Sequence, residues 1–347
     1  MWFGARGRIL AARWPRAHAS RLNFATFLNQ PLTAAMTSIL IVGAGAIGAL
    51  FGSALARQGA QVSVVCRSDY DVVAREGYDI LSPLLGDHRF RPHQVLRDVA
   101  ECTSPPDFLI LTVKVLEGVD RAALIRPAVG PRTVLVLIEN GVDIEAEIAA
   151  AFPENEVLSG LALVGVGRSA PGRVHHQSMG QLNLGRYPSG PSAAAQSLAE
   201  LLNGAGIACR LTENVVGARW QKAVWNASFN PISITGGGLD SAAILSTPES
   251  TAFVRRTMEE ICAVAAAAGY PMPPNLIEQL LAGTRAIPPY YTSMAQDYRN
   301  GRPMEIEAIL GNTVRAARKH GVSTPILETL YALTKMIEKR LAVSGWS

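Results

Sequence analysis

The sequence predicts an α/β protein in which an N-terminal, Rossmann-type doubly wound parallel sheet precedes an all-helical C-terminal domain. A buried apolar strand runs directly into the glycine-rich turn Gly43–Gly48, and helical spacing follows that turn. Further apolar runs recur as far as residue 211, and beyond it the apolar spacing is helical. We therefore predict a leader at 1–35, a sheet domain at 36–211 and a helical domain at 212–347.

Composition excludes several classes of protein. The chain is 48% hydrophobic and 17% charged, which is typical of a globular protein, and no apolar run has the roughly 20 residues of a membrane span. Its four cysteines are scattered, and no Cys/His spacing indicates a metal site. The net charge of +4 includes five arginines within residues 1–35, so the remainder carries −1 and predicts no nucleic-acid partner.

The Arg-rich, acid-free leader has two interpretations. It has the composition of an organellar transit peptide, or it is translated upstream sequence and Met36 is the true start. We favour the second interpretation, because Met36 directly precedes the first strand. The expected location is therefore the cytoplasm, with an organelle as the alternative.

The first βα turn predicts a dinucleotide site. In the G-x-G-x-x-G motif, Gly43 permits the tight turn, Gly45 lets a pyrophosphate approach the backbone, and Gly48 lets helix and strand pack closely. A second strand at 61–65 follows the helix, as a βαβ unit requires. The predicted phosphate-binding residues are Gly43, Ala44, Gly45, Ala46, Ile47 and Gly48.

After that second strand comes Arg67, flanked by Ser68, where NAD-binding folds commonly have an acid. A guanidinium suits a 2′-phosphate, and no carboxylate stands at Arg67 to repel it. An ordinary surface arginine is the alternative. The sequence therefore predicts NADP(H) rather than NAD(H).

Two further strands end in polar residues. The run at 108–113 ends in Lys114, and the run at 133–138 ends in Asn140-Gly141. Because ligands bind at the carboxyl ends of parallel strands, we expect Lys114 and Asn140 beside the glycine turn. We also predict strands at 157–165, 181–185 and 208–211, a loop at 168–177 and a helix at 192–203.

Polar residues interrupt two predicted helices of the second domain. Lys222, Asn226 and Asn230 recur at i, i+4 and i+8 in the otherwise apolar segment 219–231, so they share one helix face. Ser293 and Asp297 have the same spacing, and Glu305 is expected to open a long helix through Lys319. A buried network or plain surface is the alternative for the first stripe.

With these motifs, the chain from 37 to about 340 resembles the ketopantoate reductase (2-dehydropantoate 2-reductase) family. The resemblance is carried by GAGAIG, by T-V-K ending at Lys114, and by Asn140-Gly141. It continues with W-x-K-x-x-x-N-x-x-x-N-P from Trp220 to Pro231, S-M-x-x-D from Ser293 to Asp297, and the acidic pair around Ile306. It implies NADPH-dependent reduction of a 2-oxo acid, with ketopantoate reduced to pantoate in pantothenate biosynthesis as the expected reaction.

The resemblance also implies roles for particular residues. Lys222 would be the general acid and Glu305 its acidic partner, while Asn226, Asn230 and Ser293 would hold the substrate. Lys114 and Asn140 would serve the cofactor side, and Asn140 also borders the substrate.

Departures from the family pattern leave the substrate open. Carboxylates at Glu139 and Asp143 flank Asn140-Gly141, and the glycine run 236–238 follows Asn230-Pro231. The alternatives are a relative acting on another hydroxy acid and a non-catalytic NADP(H)-sensing module, although a sensor does not need the Lys222 stripe. A homodimer is left open.

Overall fold

The computed structural model describes residues 36–344, and the predicted leader at 1–35 lies outside them. Within this range ten strands form one sheet, in the order β4-β3-β9-β8-β7-β6-β1-β2-β5, with β10 also paired to β9. The strands are β1 Ser38–Val42, β2 Gln61–Val65, β3 Tyr78–Leu81, β4 His88–Phe90, β5 Val95–Leu96, β6 Phe108–Leu111, β7 Val134–Leu137, β8 Val157–Ala170, β9 Arg173–Arg186 and β10 Ala208–Leu211.

Twelve α-helices accompany the sheet in the described range. They are α1 Ala46–Arg57, α2 Tyr70–Glu76, α3 Arg121–Ile125, α4 Ala146–Ala151, α5 Ala193–Gly204, α6 Val215–Thr235, α7 Ser241–Ile244, α8 Pro248–Ala267, α9 Leu276–Ala286, α10 Ser293–Arg299, α11 Asn312–Lys319 and α12 Pro325–Ser344. None of them combines the length and apolar composition that a bilayer crossing requires.

The parallel part of the sheet, β5-β2-β1-β6-β7-β8, is covered on both faces. Every residue of β6 is buried, as expected for a strand with helices on either side. Leu40 and Leu109 pack on one face, whereas Ile41 and Ile110 pack on the other, because successive side chains point to opposite faces. The predicted α/β class with a parallel sheet is therefore confirmed.

The region beyond the sheet is helical. After β10 ends at Leu211, α6 begins at Val215, and no strand recurs in the rest of the described chain. Its core is a separate cluster that includes Trp220, Phe229 and Met258. The helical region predicted for the C-terminal part is confirmed.

The predicted loop at 168–177 is wrong. Two 14-residue strands, β8 and β9, form a long antiparallel hairpin there, and only Pro171 and Gly172 lie between them. Polar residues such as Arg168 suggested a loop, but β9 gains a further partner in β3 through the pairing of Asp79 with Arg173. Backbone pairing on both sides therefore holds β9 through its polar first half, in which Val174 is a buried apolar side chain. The short strands β3, β4 and β5 were also not predicted.

The predicted cofactor site, at the carboxyl end of β1, lies where the strand order reverses direction. From β1 the order runs to β2 on one side and to β6 on the other, which makes this the topological switch point. The helix predicted from Glu305 through Lys319 is present: the Glu305 carbonyl accepts from the Ile309 N–H at 3.1 Å, and a π-helical turn, Glu307–Gly311, precedes α11. That turn packs on the Asn140-Gly141 loop, where the Val142 N–H donates to the Ala308 carbonyl at 2.9 Å.

Candidate active site

The glycine-rich turn is packed tightly against the end of β6. Gly43 has φ +90°, and a Cβ there would lie 2.6 Å from Val113 Cγ1, so only glycine fits. A Cβ at Gly48 would meet Thr112 Oγ1 at 2.7 Å and Ile41 Cγ2 at 2.8 Å. Both predicted steric reasons therefore hold. The Thr112 hydroxyl fixes the turn further by donating to the Gly43 carbonyl at 2.8 Å.

The same turn fits a pyrophosphate. A Cβ on Gly45 would contact only the Gly43 carbonyl, at 3.9 Å, so the space in front of this residue is open. Among residues 36–344, nothing accepts a hydrogen bond from the first-turn amides of α1 at Ala46, Ile47 and Gly48. Free amides at a helix N-terminus form an anion-binding site.

Lys222, Asn140 and Glu305 form a hydrogen-bonded chain at the carboxyl edge of the sheet. The Lys222 ammonium on α6 donates to Asn140 Oδ1 at 2.9 Å and to the Ala162 carbonyl on β8 at 2.8 Å. The Asn140 amide donates to Glu305 Oε2 at 3.4 Å, and the Val115 N–H donates to Glu305 Oε1 at 3.1 Å. Three residues far apart in sequence are thus brought together.

Burial changes the acid–base properties of both end members. It lowers the pKa of Lys222 to about 8, assisted by the charge of Arg219 and opposed by Glu305. It raises the pKa of Glu305, while hydrogen bonds from Val115 and Asn140 and the charge of Lys114 act in the opposite direction. Burial therefore outweighs the charge of Glu305 in setting the pKa of Lys222.

Lys114 bridges the sheet edge and the segment before Glu305. Its ammonium donates to the Pro303 carbonyl at 2.9 Å and forms an ion pair with Asp297 at 2.6 Å. Arg302 lies 3.1 Å from the other oxygen of Asp297. The carboxylate of Asp297, at the end of the S-M-x-x-D motif, therefore balances two cations beside the site.

A buried ionic network stands behind Asn140. Arg219, one helical turn before Lys222, donates to the Glu139 carbonyl at 2.9 Å and to the Gly141 carbonyl at 3.1 Å. It also forms an ion pair with Glu145 at 2.5 Å. Arg121 pairs with the Glu139 carboxylate at 2.8 Å and opposes the rise in the pKa of Glu139 that burial causes. This network holds the Asn140-Gly141 turn from behind.

The predicted substrate residues do not form a connected group as Lys222, Asn140 and Glu305 do. Asn226 lines a narrow crevice together with Lys222 and Arg219. Asn230 is 1% exposed, and its Oδ1 has no hydrogen-bond donor within residues 36–344. Ser293 is exposed as the first residue of α10, which packs against α6. Neither Asn230 nor Ser293 is hydrogen-bonded to the Lys222 chain.

Arg67 lies at the other end of the site, after β2. Its side chain is exposed and makes no hydrogen bond or ion pair with the part of the chain that the structure describes. The neighbouring Ser68 hydroxyl accepts a hydrogen bond from Arg168 at 3.0 Å. Arg67 is therefore accessible to a cofactor. It follows β2, which pairs with β1, the strand that leads into the glycine-rich turn.

Comparison with known families decides the wider assignment. Residues 39–189 match the model described as ketopantoate reductase PanE/ApbA, and residues 214–338 match the model of its C-terminal part. The chain belongs to the ketopantoate reductase family. Ketopantoate reductases are NADPH-dependent oxidoreductases that reduce ketopantoate to pantoate, so this chain is an oxidoreductase of that type.

Two ketopantoate reductases are similar to this chain over most of its length. The crystal structure of 2-dehydropantoate 2-reductase from Methylococcus capsulatus is 53% identical, with a TM-score of 0.83 over 88% of this chain and 97% of that one. A 2-dehydropantoate 2-reductase from Nostoc is 30% identical over 86% of this chain and 95% of its own length. A third, more distant structure is D-mandelate dehydrogenase with NADH and anilino(oxo)acetate, at 25% identity and a TM-score of 0.81 over 88% of this chain and 100% of that one.

Within this ketopantoate reductase fold, sequence reasoning overlooked two contributors and assigned no role to a third. Arg219 clamps the Asn140-Gly141 turn, the Ala162 carbonyl binds the Lys222 ammonium, and Asp297 pairs with Lys114. Arg219 could have been found from its position three residues before Lys222, which places both on neighbouring turns of one helix face. A backbone carbonyl on β8 has no sequence signature.

Proposed function

We propose that this chain reduces ketopantoate to pantoate with NADPH and that Lys222 donates the proton. The observation that carries the proposal is the position of the Lys222 ammonium, hydrogen-bonded to Asn140 at 2.9 Å at the same sheet edge as the glycine-rich turn. A sensing module needs the turn alone. A reductase needs a proton donor as well.

The chemistry follows from the charge that develops during reduction. Bound NADPH would supply a hydride to the 2-oxo carbon, which would leave negative charge on the carbonyl oxygen. The Lys222 ammonium stabilises that negative charge and gives its Nζ proton to the oxygen, which yields the hydroxyl group of the product. Lys222 is left neutral and takes a proton from solvent before the next turnover. A pKa of about 8 keeps the lysine protonated at neutral pH and makes it a stronger acid than an exposed lysine.

Glu305 and Asn140 hold the donor in place. The Asn140 side chain accepts from Lys222 and donates to Glu305, which fixes the orientation of its amide. The negative charge of Glu305 favours the ammonium form of Lys222 and limits the effect of burial. In this scheme Glu305 is the acidic partner and Lys222 the catalytic acid.

The remaining predicted residues would bind the two ligands. Asn226 and Ser293 would hold the carboxylate and hydroxyl of the substrate, and the buried, unpaired Oδ1 of Asn230 would accept from a substrate hydroxyl. The amides at residues 46–48 would bind the pyrophosphate, and Arg67 the 2′-phosphate. Lys114 and Asn140 would border the cofactor.

The proposal also covers the roles of the two domains, the location of the enzyme and its assembly. Residues 36–211 would form the cofactor-binding domain and 212–347 the domain for substrate and catalysis, which agrees with the start of α6 at Val215. We place the enzyme in the cytoplasm, in pantothenate biosynthesis. A homodimer is the proposed assembly.

The test is a substrate panel. Purified protein is mixed with NADPH and ketopantoate, 2-oxoisovalerate or 2-oxo-2-phenylacetate, and the loss of nicotinamide absorbance is followed. We expect the highest kcat/KM with ketopantoate. A preference for the phenyl substrate would indicate the hydroxy-acid alternative that the D-mandelate dehydrogenase likeness raises. NADPH binding without turnover of any 2-oxo acid would leave only the sensing module.

A further inference from the structure

An acid lies between β2 and α2, beside the predicted 2′-phosphate site. Asp69 follows Arg67 by two residues and is only 3% exposed. An acid in this region of a Rossmann fold commonly accepts hydrogen bonds from the ribose of NAD. Its presence conflicts with the expectation that no carboxylate stands near a 2′-phosphate.

Both oxygens of Asp69 are already bound by the protein. Oδ1 accepts from the Ser68 hydroxyl at 2.8 Å and from Arg168 Nη1 at 2.7 Å. Oδ2 accepts from the Gly172 N–H at 3.1 Å. A carboxylate buried in this way and paired with a guanidinium has little negative charge left to repel a phosphate and little room to bind a ribose hydroxyl.

Arg168 reaches Asp69 from the hairpin that the sequence did not predict. It stands near the end of β8, almost one hundred residues away, and the tip of the β8–β9 hairpin places it over the end of β2. Its Nη1 makes both contacts, to Asp69 and to Ser68. The Nε–Nη2 edge makes no hydrogen bond within residues 36–344, and the side chain is 35% exposed.

We propose that Arg168 is a second specificity residue for the 2′-phosphate of NADPH, acting beside Arg67. It neutralises Asp69 and offers the free edge of its guanidinium on the other side of Ser68. A planar guanidinium edge matches two phosphate oxygens with paired, charge-assisted hydrogen bonds. The inference rests on the proposed use of NADPH and extends it to a residue outside the βα unit.

The test uses nucleotide fragments, so that it does not depend on turnover. Isothermal titration of the full chain compares adenosine 2′,5′-bisphosphate with adenosine 5′-monophosphate, which lacks the 2′-phosphate. Arg168→Ala should weaken the bisphosphate at least about 10-fold and leave the monophosphate unchanged. Arg168→Lys keeps the charge beside Asp69 but lacks the paired guanidinium edge. Its affinity for the bisphosphate should lie between that of the unaltered chain and that of Arg168→Ala.

Removing Arg168 alone leaves a buried, unpaired carboxylate that endangers folding. The comparison is therefore repeated with Asp69→Asn as the parent, with and without Arg168→Ala, because the amide needs no counter-charge. Loss of 2′-phosphate preference on removing Arg168 from that parent supports the inference. Equal effects on both nucleotides, or no effect, would overturn it.

The outcome for the unaltered chain separates this inference from the proposed function. If the unaltered chain shows no preference for the bisphosphate, the proposed use of NADPH is wrong and the inference falls with it. If the preference is present and depends on Arg67 but not on Arg168, only the inference is wrong.

Discussion

Replacing Lys222 with methionine is the sharpest test of the catalytic scheme. Methionine keeps most of the volume of the side chain but can neither donate a proton nor stabilise an alkoxide. A positioned general acid contributes about 10²–10⁴ to the rate, so kcat with ketopantoate should fall by that factor. NADPH binding should change little, because the predicted phosphate contacts lie at the glycine turn rather than on α6.

The pH profile gives the same test a second readout. Because burial lowers the pKa of Lys222 to about 8, the donor is protonated below that pH and lost above it. The kcat/KM of the unaltered enzyme, which reports the free enzyme's acid, should therefore be level below pH 8 and then fall about tenfold for each further pH unit. This alkaline limb should be absent from Lys222→Met.

The stability of the variant can be worked out from the same site. A lysine whose folded pKa is lowered from 10.5 to about 8 costs on the order of 3 kcal/mol below pH 8, and this cost disappears as the pH rises from 8 to 10.5. Methionine removes the cost but leaves Asn140 Oδ1 and the Ala162 carbonyl without their donor, at about 1–3 kcal/mol each. At neutral pH the two effects nearly cancel, so Tm should stay within about 5 °C.

The assays are steady-state kinetics from pH 6 to 10, fluorescence titration with NADPH and thermal unfolding at pH 7. Unchanged Tm and NADPH affinity with a large loss of kcat would isolate the chemical step. The reasoning is refuted if Lys222→Met turns over at the original rate, keeps the alkaline limb, or binds NADPH far more weakly.

Three further outcomes are expected. Arg67→Ala should weaken NADPH about 10- to 150-fold in a binding titration and NADH far less, and an equal loss for both would remove its assignment to the 2′-phosphate. A chain that starts at Met36 should keep its Tm and turnover, and a marked drop in either would show that residues 1–35 contribute to the fold. Asn226→Ala and Ser293→Ala should act largely through KM in steady-state kinetics, whereas a loss confined to kcat would assign them to the chemical step.

Much of the fold could be predicted because buried parallel strands are continuous apolar runs. β1, β2, β6 and β7 lie where those runs fall, and the second region is helical as its spacing indicated. The β8–β9 hairpin could not be found in this way. Its outer half has few apolar side chains, among them Val166 and Val174, and pairing with β3 and between the two long strands defines it instead.

The geometry of the site was predictable only where it is local. The spacing of Lys222 and Asn226 placed both on one helix face, and both line the same crevice. Contacts of Lys222 with Asn140 and of Arg168 with Asp69 join residues 82 and 99 positions apart. No periodicity encodes such pairs, since they depend on how the sheet and helices pack.

The position of Arg219 explains why the donor and its partner stay aligned. Arg219 and Lys222 are adjacent on one face of α6, and both bind the segment around Asn140: Arg219 through the Glu139 and Gly141 carbonyls, Lys222 through the Asn140 side chain. Any rotation of α6 would therefore break contacts on the backbone and on the side chain together. The same guanidinium lowers the pKa of Lys222, so the residue that fixes the geometry of the donor also strengthens it as an acid.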